Sequence, residues 1–137
     1  MSAKEYLQQI RNLDSEINAK LDQCDLLRTM ATRLTTTLYL GGKSGGGIKK
    51  SNAEKYVVRF ADLSDEINRD IDRLIDLKSE AIKKINKVDI RKYRVLLLQR
   101  YVNVKTWEKI AVDMDLSYVH VVHNLHPQAL RAIEKFF

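Results

Sequence analysis

The chain has 137 residues, 45% of them hydrophobic, with a formal charge of +6 and an isoelectric point near 9.4. That length suits one compact domain, or a small domain carrying an extended helical arm. The basic balance favours an anionic partner without specifying one. Cys24 stands alone, which excludes an intramolecular disulfide and points to a reducing compartment. The opening MSAKEYLQQIRNLDSEI has no apolar signal region, and no apolar run is long enough to span a membrane, so a soluble, cytoplasmic protein is expected.

The first helical pattern runs through Ile10, Leu13, Ile17, Leu21, Cys24, Leu27, Ala31, Leu34 and Leu38. Steps of three and four leave one apolar stripe, in which Cys24 reads as a small core residue. Thr35-Thr36-Thr37 should loosen the end of this helix, because β-branched side chains lose rotamer freedom there. Residues 41–47 then hold all five glycines and read as a flexible loop. Within them Gly42-Lys43-Ser44 mimics the end of a phosphate-binding loop, but Thr37 stands where that motif needs its first glycine and no strand precedes it. Nucleotide binding is not expected.

A second stripe follows at Tyr56, Phe60, Leu63, Ile67, Ile71, Leu74, Leu77, Ala81, Ile85 and Val88. Ser51 or Asn52 can cap its helix, with Glu54 in the first turn. Leu13-Asp14-Ser15-Glu16-Ile17-Asn18 is echoed fifty residues later by Leu63-Ser64-Asp65-Glu66-Ile67-Asn68. Either the two arms present like faces, or the echo is a coincidence of heptad composition. Residues 1–88 thus read as a coiled-coil-like antiparallel hairpin. A hairpin of single-stripe helices is marginal alone, so homo-oligomerisation through it is expected.

From Asp89 the pattern shortens into a second domain, 89–137. Arg91 to Tyr101 is too apolar for a surface helix and should be buried in a small globular unit. Val102 to Lys105 is a connector. Thr106 is a candidate N-cap for a helix running from Trp107 to about Asp113, with Trp107, Ile110, Ala111 and Met114 inward. A turn at Met114-Asp115-Leu116 leads to a third helix opened by Ser117 or Tyr118. A helix-turn-helix needs a small residue where its helices touch, a turn residue that tolerates a left-handed backbone, and an apolar anchor beyond. Ala111, Asp115, Leu116 as an apolar plug, and Val121 fill those places. Pro127 should end the third helix or open a short last one, and Phe136-Phe137 should pack back on the domain or meet a partner.

These residues also carry a resemblance. Tyr93 to Tyr101, Thr106-Trp107-Glu108-Lys109-Ile110-Ala111, Val122-His123-Asn124-Leu125-His126 and Ala129-Leu130 resemble region four of bacterial sigma factors. The chain looks closer still to small phage and prophage late-transcription regulators of the ArpU kind, which join such a domain to a coiled-coil-like half. Met1 to Leu27, opening Ala3-Lys4-Glu5-Tyr6-Leu7, and Leu63 to Ile85 fit those proteins too. The resemblance implies a phage-encoded transcription regulator or sigma-like factor in a bacterial host, acting on promoter DNA and on host RNA polymerase. Two departures stand out: Asp115 replaces the usual glycine, and one extra residue between Ser117 and Val122 leaves either Val121 or Val122 to face the core.

The candidate DNA contacts are Lys105, Thr106, Lys109, Ser117, Tyr118, His120, His123, Asn124 and Arg131, with Arg91, Lys92, Arg94 and Arg100 as further phosphate contacts. No arginine lies between Ser117 and Asn124, so the strongest common guanine readout is missing. Asn124 can pair with adenine, His120 and His123 can meet guanine or phosphate, and Tyr118 or Val119 a thymine methyl. His120, His123 and His126 are spaced by three, but the third rotates off the shared face and no Cys or Glu completes a ligand set, so no metal is expected. No catalytic constellation is present, and neither enzyme activity nor a cofactor is expected. The arginine-poor reading helix leaves open two other roles: a helix-turn-helix-fold protein-binding module that inhibits a host nucleoprotein complex, or a phage DNA-packaging component.

Overall fold

The computed structural model describes residues 1–41 and 46–137, with side chains described at 1–34 and 52–137. The protein is all-α, with no strand among the described residues. Two long helices, α1 (Ala3–Gly41) and α2 (Gly46–Ile85), precede α3 (Arg91–Leu97), α4 (Trp107–Met114), α5 (Tyr118–His120) and α6 (His126–Glu134). A π-type turn, Leu98–Val102, continues α3, and another, Val121–Leu125, joins α5 to α6. Backbone angles at His120, Val121, Leu125 and His126 are all right-handed helical, so residues 118–134 form one unbroken helix. Among the described residues no helix is long and apolar enough to cross a membrane.

Contacts divide the chain into two compact units. The first to consider is Ser15–Asp72, where α1 and α2 run antiparallel: Lys20 faces Glu66 and Asp70, while Arg28, further along α1, lies 5.4 Å over the Phe60 ring, further back along α2. Ile17, Cys24 and Ile67 are buried, as apolar stripes at three–four spacing require. The Lys20 ammonium sits 2.8 Å from Glu66, 2.5 Å from Asp70 and 3.4 Å from Glu16. Hydrogen bonds to Asp70 and then Glu66 raise its pKa above the ordinary lysine value. The sequence echo is visible here: Ile17 and Ile67 are both buried, and Glu16 and Glu66 both reach one lysine.

Three local expectations shift. α1 continues through Thr35-Thr36-Thr37 to Gly41, and α2 opens at Gly46, so Gly46 and Gly47 are helical and Ser51, Asn52 and Glu54 lie inside the helix. Once a long helix is nucleated, each added residue gains a backbone hydrogen bond; that offsets the tenths of a kcal/mol a threonine costs and the ~1 kcal/mol a glycine costs. Of the expected loop, residues 42–45, with the Gly42-Lys43-Ser44 motif, lie outside the described residues.

The second unit combines Met1–Asp14 with Arg73–Phe137. It therefore extends beyond residues 89–137. Ala3, Leu7 and Ile10 of α1 and Ala81, Ile85 and Val88 at the end of α2 share one core with Leu96, Leu97, Tyr101, Ile110, Ala111, Val121, Leu125, Ala129 and Ile133. The Glu134 carboxylate accepts the Ala3 N–H at 3.1 Å, answering a donor that the first turn of α1 leaves free. Tyr6 donates its hydroxyl to the Leu77 carbonyl and stacks at 5.1 Å on Phe137, so the terminal Phe136-Phe137 pair packs back on the unit, half-buried. Because Leu7 is fully buried in this core, Leu7→Ala should destabilise it by about 2–5 kcal/mol. Urea unfolding followed by the fluorescence of Trp107, at the far end of the sequence, checks this; a midpoint like wild type would separate α1 from the C-terminal core.

Candidate nucleic-acid interface

Local chemistry builds the helix-turn-helix. The Thr106 hydroxyl accepts the Lys109 N–H at 3.2 Å and starts α4, as its N-cap position predicts. Asp115 ends α4 in the left-handed region, φ 55°, and the Asp115 and Leu116 N–H groups bond back to Val112 and Ala111 at 3.1 and 3.0 Å. That pairing closes the orphan carbonyls of a helix C-terminus, and aspartate tolerates the backbone it needs better than most side chains. The Ser117 hydroxyl then accepts the His120 N–H at 3.1 Å and opens α5. Ala111 is buried at the contact, but Leu116 is not the plug that its spacing suggested: it is 37% exposed and lines an open cleft. The tight backbone return after Asp115 leaves its side chain outside the core.

Val121 is fully buried and Val122 only half-buried, which settles the register. The inward row is Val121, Leu125, Ala129 and Ile133, each four residues on. An ordinary helix drifts about 40° per four residues; the π-type turn at 121–125 takes up part of that drift. Pro127 stands in the first turn of α6, one of the two places its sequence position offered, and the helical backbone runs into it without a break. Bonding has already slipped to the fifth residue, His126 N–H reaching the Val121 carbonyl, so the α-type bond that proline would break is not in use. Two residues from inward positions lie Val119, His123, Pro127, Arg131 and Lys135, all exposed except the half-buried Pro127.

The connector before α4 is held from several sides. Val104 has φ 56°, a conformation that costs a β-branched residue about 1–3 kcal/mol. Next to it, the Lys105 N–H bonds the Gln99 carbonyl at 3.0 Å, while the Lys105 carbonyl accepts from the Arg11 and Arg100 guanidinium groups at 3.2 and 3.1 Å. Arg11 also donates to the Arg100 carbonyl at 2.8 Å. The Arg100 guanidinium lies 4.1 Å over the Trp107 ring; burial, then the Arg11 charge, lowers its pKa, and its buried Nε has no hydrogen-bond partner.

The predicted contacts accordingly fall into groups. Thr106, Lys109, Ser117, Tyr118, His123 and Asn124 are exposed on or beside α4 and α5; His120 is half-buried, with the Asn124 amide nitrogen 3.2 Å from its Nδ1. Lys105 is drawn to Asp113 at 3.0 Å and Gln99 at 3.2 Å, and its hydrogen bond holds the Asp113 carboxyl below the usual range. Arg91 and Lys92 are exposed at the start of α3, and Arg131 is exposed on the outward row. Arg94 and Arg100 face inward as backbone clamps, Arg94 donating to the Val88 and Asp89 carbonyls at 2.5 and 2.8 Å. Neither is displayed as a free phosphate contact. Sequence reasoning missed Arg11, which touches the connector only through tertiary folding. It also missed the exposed Val112 (77% exposed), whereas Val119, expected to meet a thymine methyl, is indeed exposed (62%).

The three histidines do not converge, and no metal-binding cluster occurs among the described residues. His126 turns inward instead, its Nε2 2.7 Å from the Tyr101 hydroxyl and its ring 4.6 Å from that of Trp107. Burial, then the charges of Arg100 and Lys4, push its pKa down to about 4. Compared with known protein families, curated proteins and solved structures, the chain shows no match.

His126 makes the unit acid-sensitive. The unfolded chain takes up this proton near pH 6.5, the folded unit only near 4, so the stability present above 6.5 is lost as pH falls between those values and levels off below. Thermal unfolding midpoints recorded across that window should fall for wild type and stay flatter for His126→Gln; parallel slopes would remove His126 as the cause. In the same unit Val121→Ala should cost roughly 1.5–3 kcal/mol, and Val122→Ala well under half of that, by urea denaturation.

Proposed function

We propose that the chain is a DNA-binding transcription regulator whose α4–turn–α5 unit enters the major groove of duplex DNA. The observation that carries this reading is the capped helix–turn–helix at Thr106, Asp115 and Ser117, which leaves Tyr118, Val119, His123 and Asn124 exposed on a helix anchored by Val121 and Leu125. Asn124 is the candidate adenine reader, His123 meets guanine or phosphate, and Tyr118 and Val119 meet thymine methyl groups. With no arginine on this surface, direct readout is weak. The resemblance to sigma region four and to phage late regulators supports the finer reading: a phage-encoded factor in the bacterial cytoplasm, with promoter DNA as target and host RNA polymerase as partner. The protein is read as a non-enzyme without cofactor.

A second reading has its own support. Val112, Leu116, Tyr118 and Val119 expose apolar surface beside Glu108 and Asp115, around an open cleft, which suits a protein partner better than a phosphate backbone. Self-association is placed on the end of α2, where Ile75 and Ile82 stand seven residues apart on an exposed face away from the buried Ala81. If that face pairs copies of the chain, Ile75→Asp shifts the sedimentation profile toward monomer.

Anisotropy of a labelled random-sequence duplex, titrated with salt from about 50 to 200 mM, tests DNA binding. Wild type should show a linear fall of log affinity with log salt, and Lys109→Ala should shallow the slope by about one. An affinity absent even at low salt transfers the function to the protein-binding reading.

A further inference from the structure

In the unit formed by Met1–Asp14 and Arg73–Phe137, the exposed cations are not gathered at the α4–α5 surface. There Lys105 and Lys109 stand among Glu108, Asp113 and Asp115, an excess of one negative charge, and Asp113 lies 3.0 Å from Lys105 and 3.9 Å from Lys109. The opposite balance holds where the end of α2 meets the end of α6. The Lys84 ammonium lies 4.1 Å over the Phe137 ring, and those of Lys87 and Lys135 lie 6.0 and 5.1 Å from the Phe136 ring. Arg131 and Lys135 line a cleft there, of about 240 Å³, against Val88 and Ile90. Glu134, between them in sequence, accepts the Ala3 N–H and keeps its charge, and Asp89 lines the cleft, so Lys84, Lys87, Arg131 and Lys135 outnumber these two carboxylates.

We propose that this corner is the principal phosphate grip of the protein, binding the backbone of the same duplex that α5 meets; it rests on the DNA-binding reading above. Favourable charge at a helix C-terminus accounts for Lys83 and Lys84 on their own helix, but not for Lys87, beyond that helix, standing over the Phe136 ring that lines the same cleft as Arg131 and Lys135. The half-buried Phe136 and Phe137 rings hold the lysine ammonium groups near fixed positions, which lowers the entropy lost when they meet an anion. Distance fits as well. Arg131 and Lys135 follow His123 on the outward row by eight and twelve residues, ~12 and ~18 Å along the helix. A major groove is about 12 Å wide, so a helix with His123 in the groove brings Arg131 to the strand that borders it. Neutralised phosphates release counterions, and each such contact steepens the salt dependence by about 0.9.

The test compares wild type, Lys109→Ala, a triple Lys87→Gln/Arg131→Gln/Lys135→Gln variant and a charge-keeping triple Lys87→Arg/Arg131→Lys/Lys135→Arg variant on the random-sequence duplex, with thermal unfolding run on each. The three side chains are exposed, so all variants should unfold near the wild-type midpoint. The glutamine triple should shallow the salt slope by nearly three, against about one for Lys109→Ala, and the charge-keeping triple should hold the wild-type slope. A glutamine triple with the wild-type slope, beside a shallower Lys109→Ala, overturns the corner and leaves the DNA-binding reading standing. Wild type without duplex affinity overturns both. Loss of slope in the charge-keeping triple also overturns the grip, since shape rather than charge is then at work.

Discussion

A row of buried residues spaced by four, Val121, Leu125, Ala129 and Ile133, is the constraint on which the C-terminal unit depends. Regular α-helical geometry would turn such a row off the core within a few steps. The wider turn at 121–125 returns it, at the cost of poorer hydrogen-bond geometry. Everything on the outside of this helix follows from that adjustment. Val119, His123, Arg131 and Lys135 fall into line because the inward row does, and Pro127 is accommodated because the bonding ladder has already shifted. Moving Val122 inward would re-aim every exposed side chain of α5.

The same core explains how the unit tolerates strain and buried polarity close to the surface of α4 and α5. Val104 keeps a backbone that a β-branched residue avoids because both polar groups of Lys105 beside it are held, one by Gln99 and the other by two guanidinium groups. One of those comes from α1, which ties the opening of the chain to the position of α4. His126 stays neutral among Tyr101 and Trp107 for a related reason: Arg100 is already there, and a second positive charge in a partly desolvated site is unfavourable. These groups fill the space between α3, α4 and the last helix with ordered hydrogen bonds as well as hydrocarbon.

Much of this was legible from short-range chemistry. Thr106, Asp115 and Ser117 announce their roles because capping depends on the residue itself and its neighbours within a turn. The antiparallel arms were readable from two apolar stripes for a similar reason. What stayed hidden depends on contacts distant in sequence. Ala3, Leu7 and Ile10 continue the stripe of α1 without a break, so periodicity alone could not assign them to the core of the last fifty residues. Arg94 and Arg100 carry the same formal charge as Arg91, and only burial distinguishes a backbone clamp from a displayed cation. The Val121 register was undecidable because it turns on a π-type bulge, which has no marker in the local pattern.

If the chain binds DNA, the separation of charge from the α5 surface has a consequence for how it recognises a site. Phosphate contacts give affinity that is indifferent to sequence, whereas base contacts discriminate. A reading surface bounded by Glu108, Asp113 and Asp115 contributes little net attraction by itself, so His123 and Asn124 would act only after cations elsewhere had brought the duplex close. Such an arrangement keeps the approach fast and salt-dependent while leaving specificity to a few weak contacts. Discrimination would then have to come from the exposed apolar residues Val112 and Val119 engaging a second protein, or from two copies reading two half-sites together, because doubling a weak readout multiplies its selectivity without any new base contact.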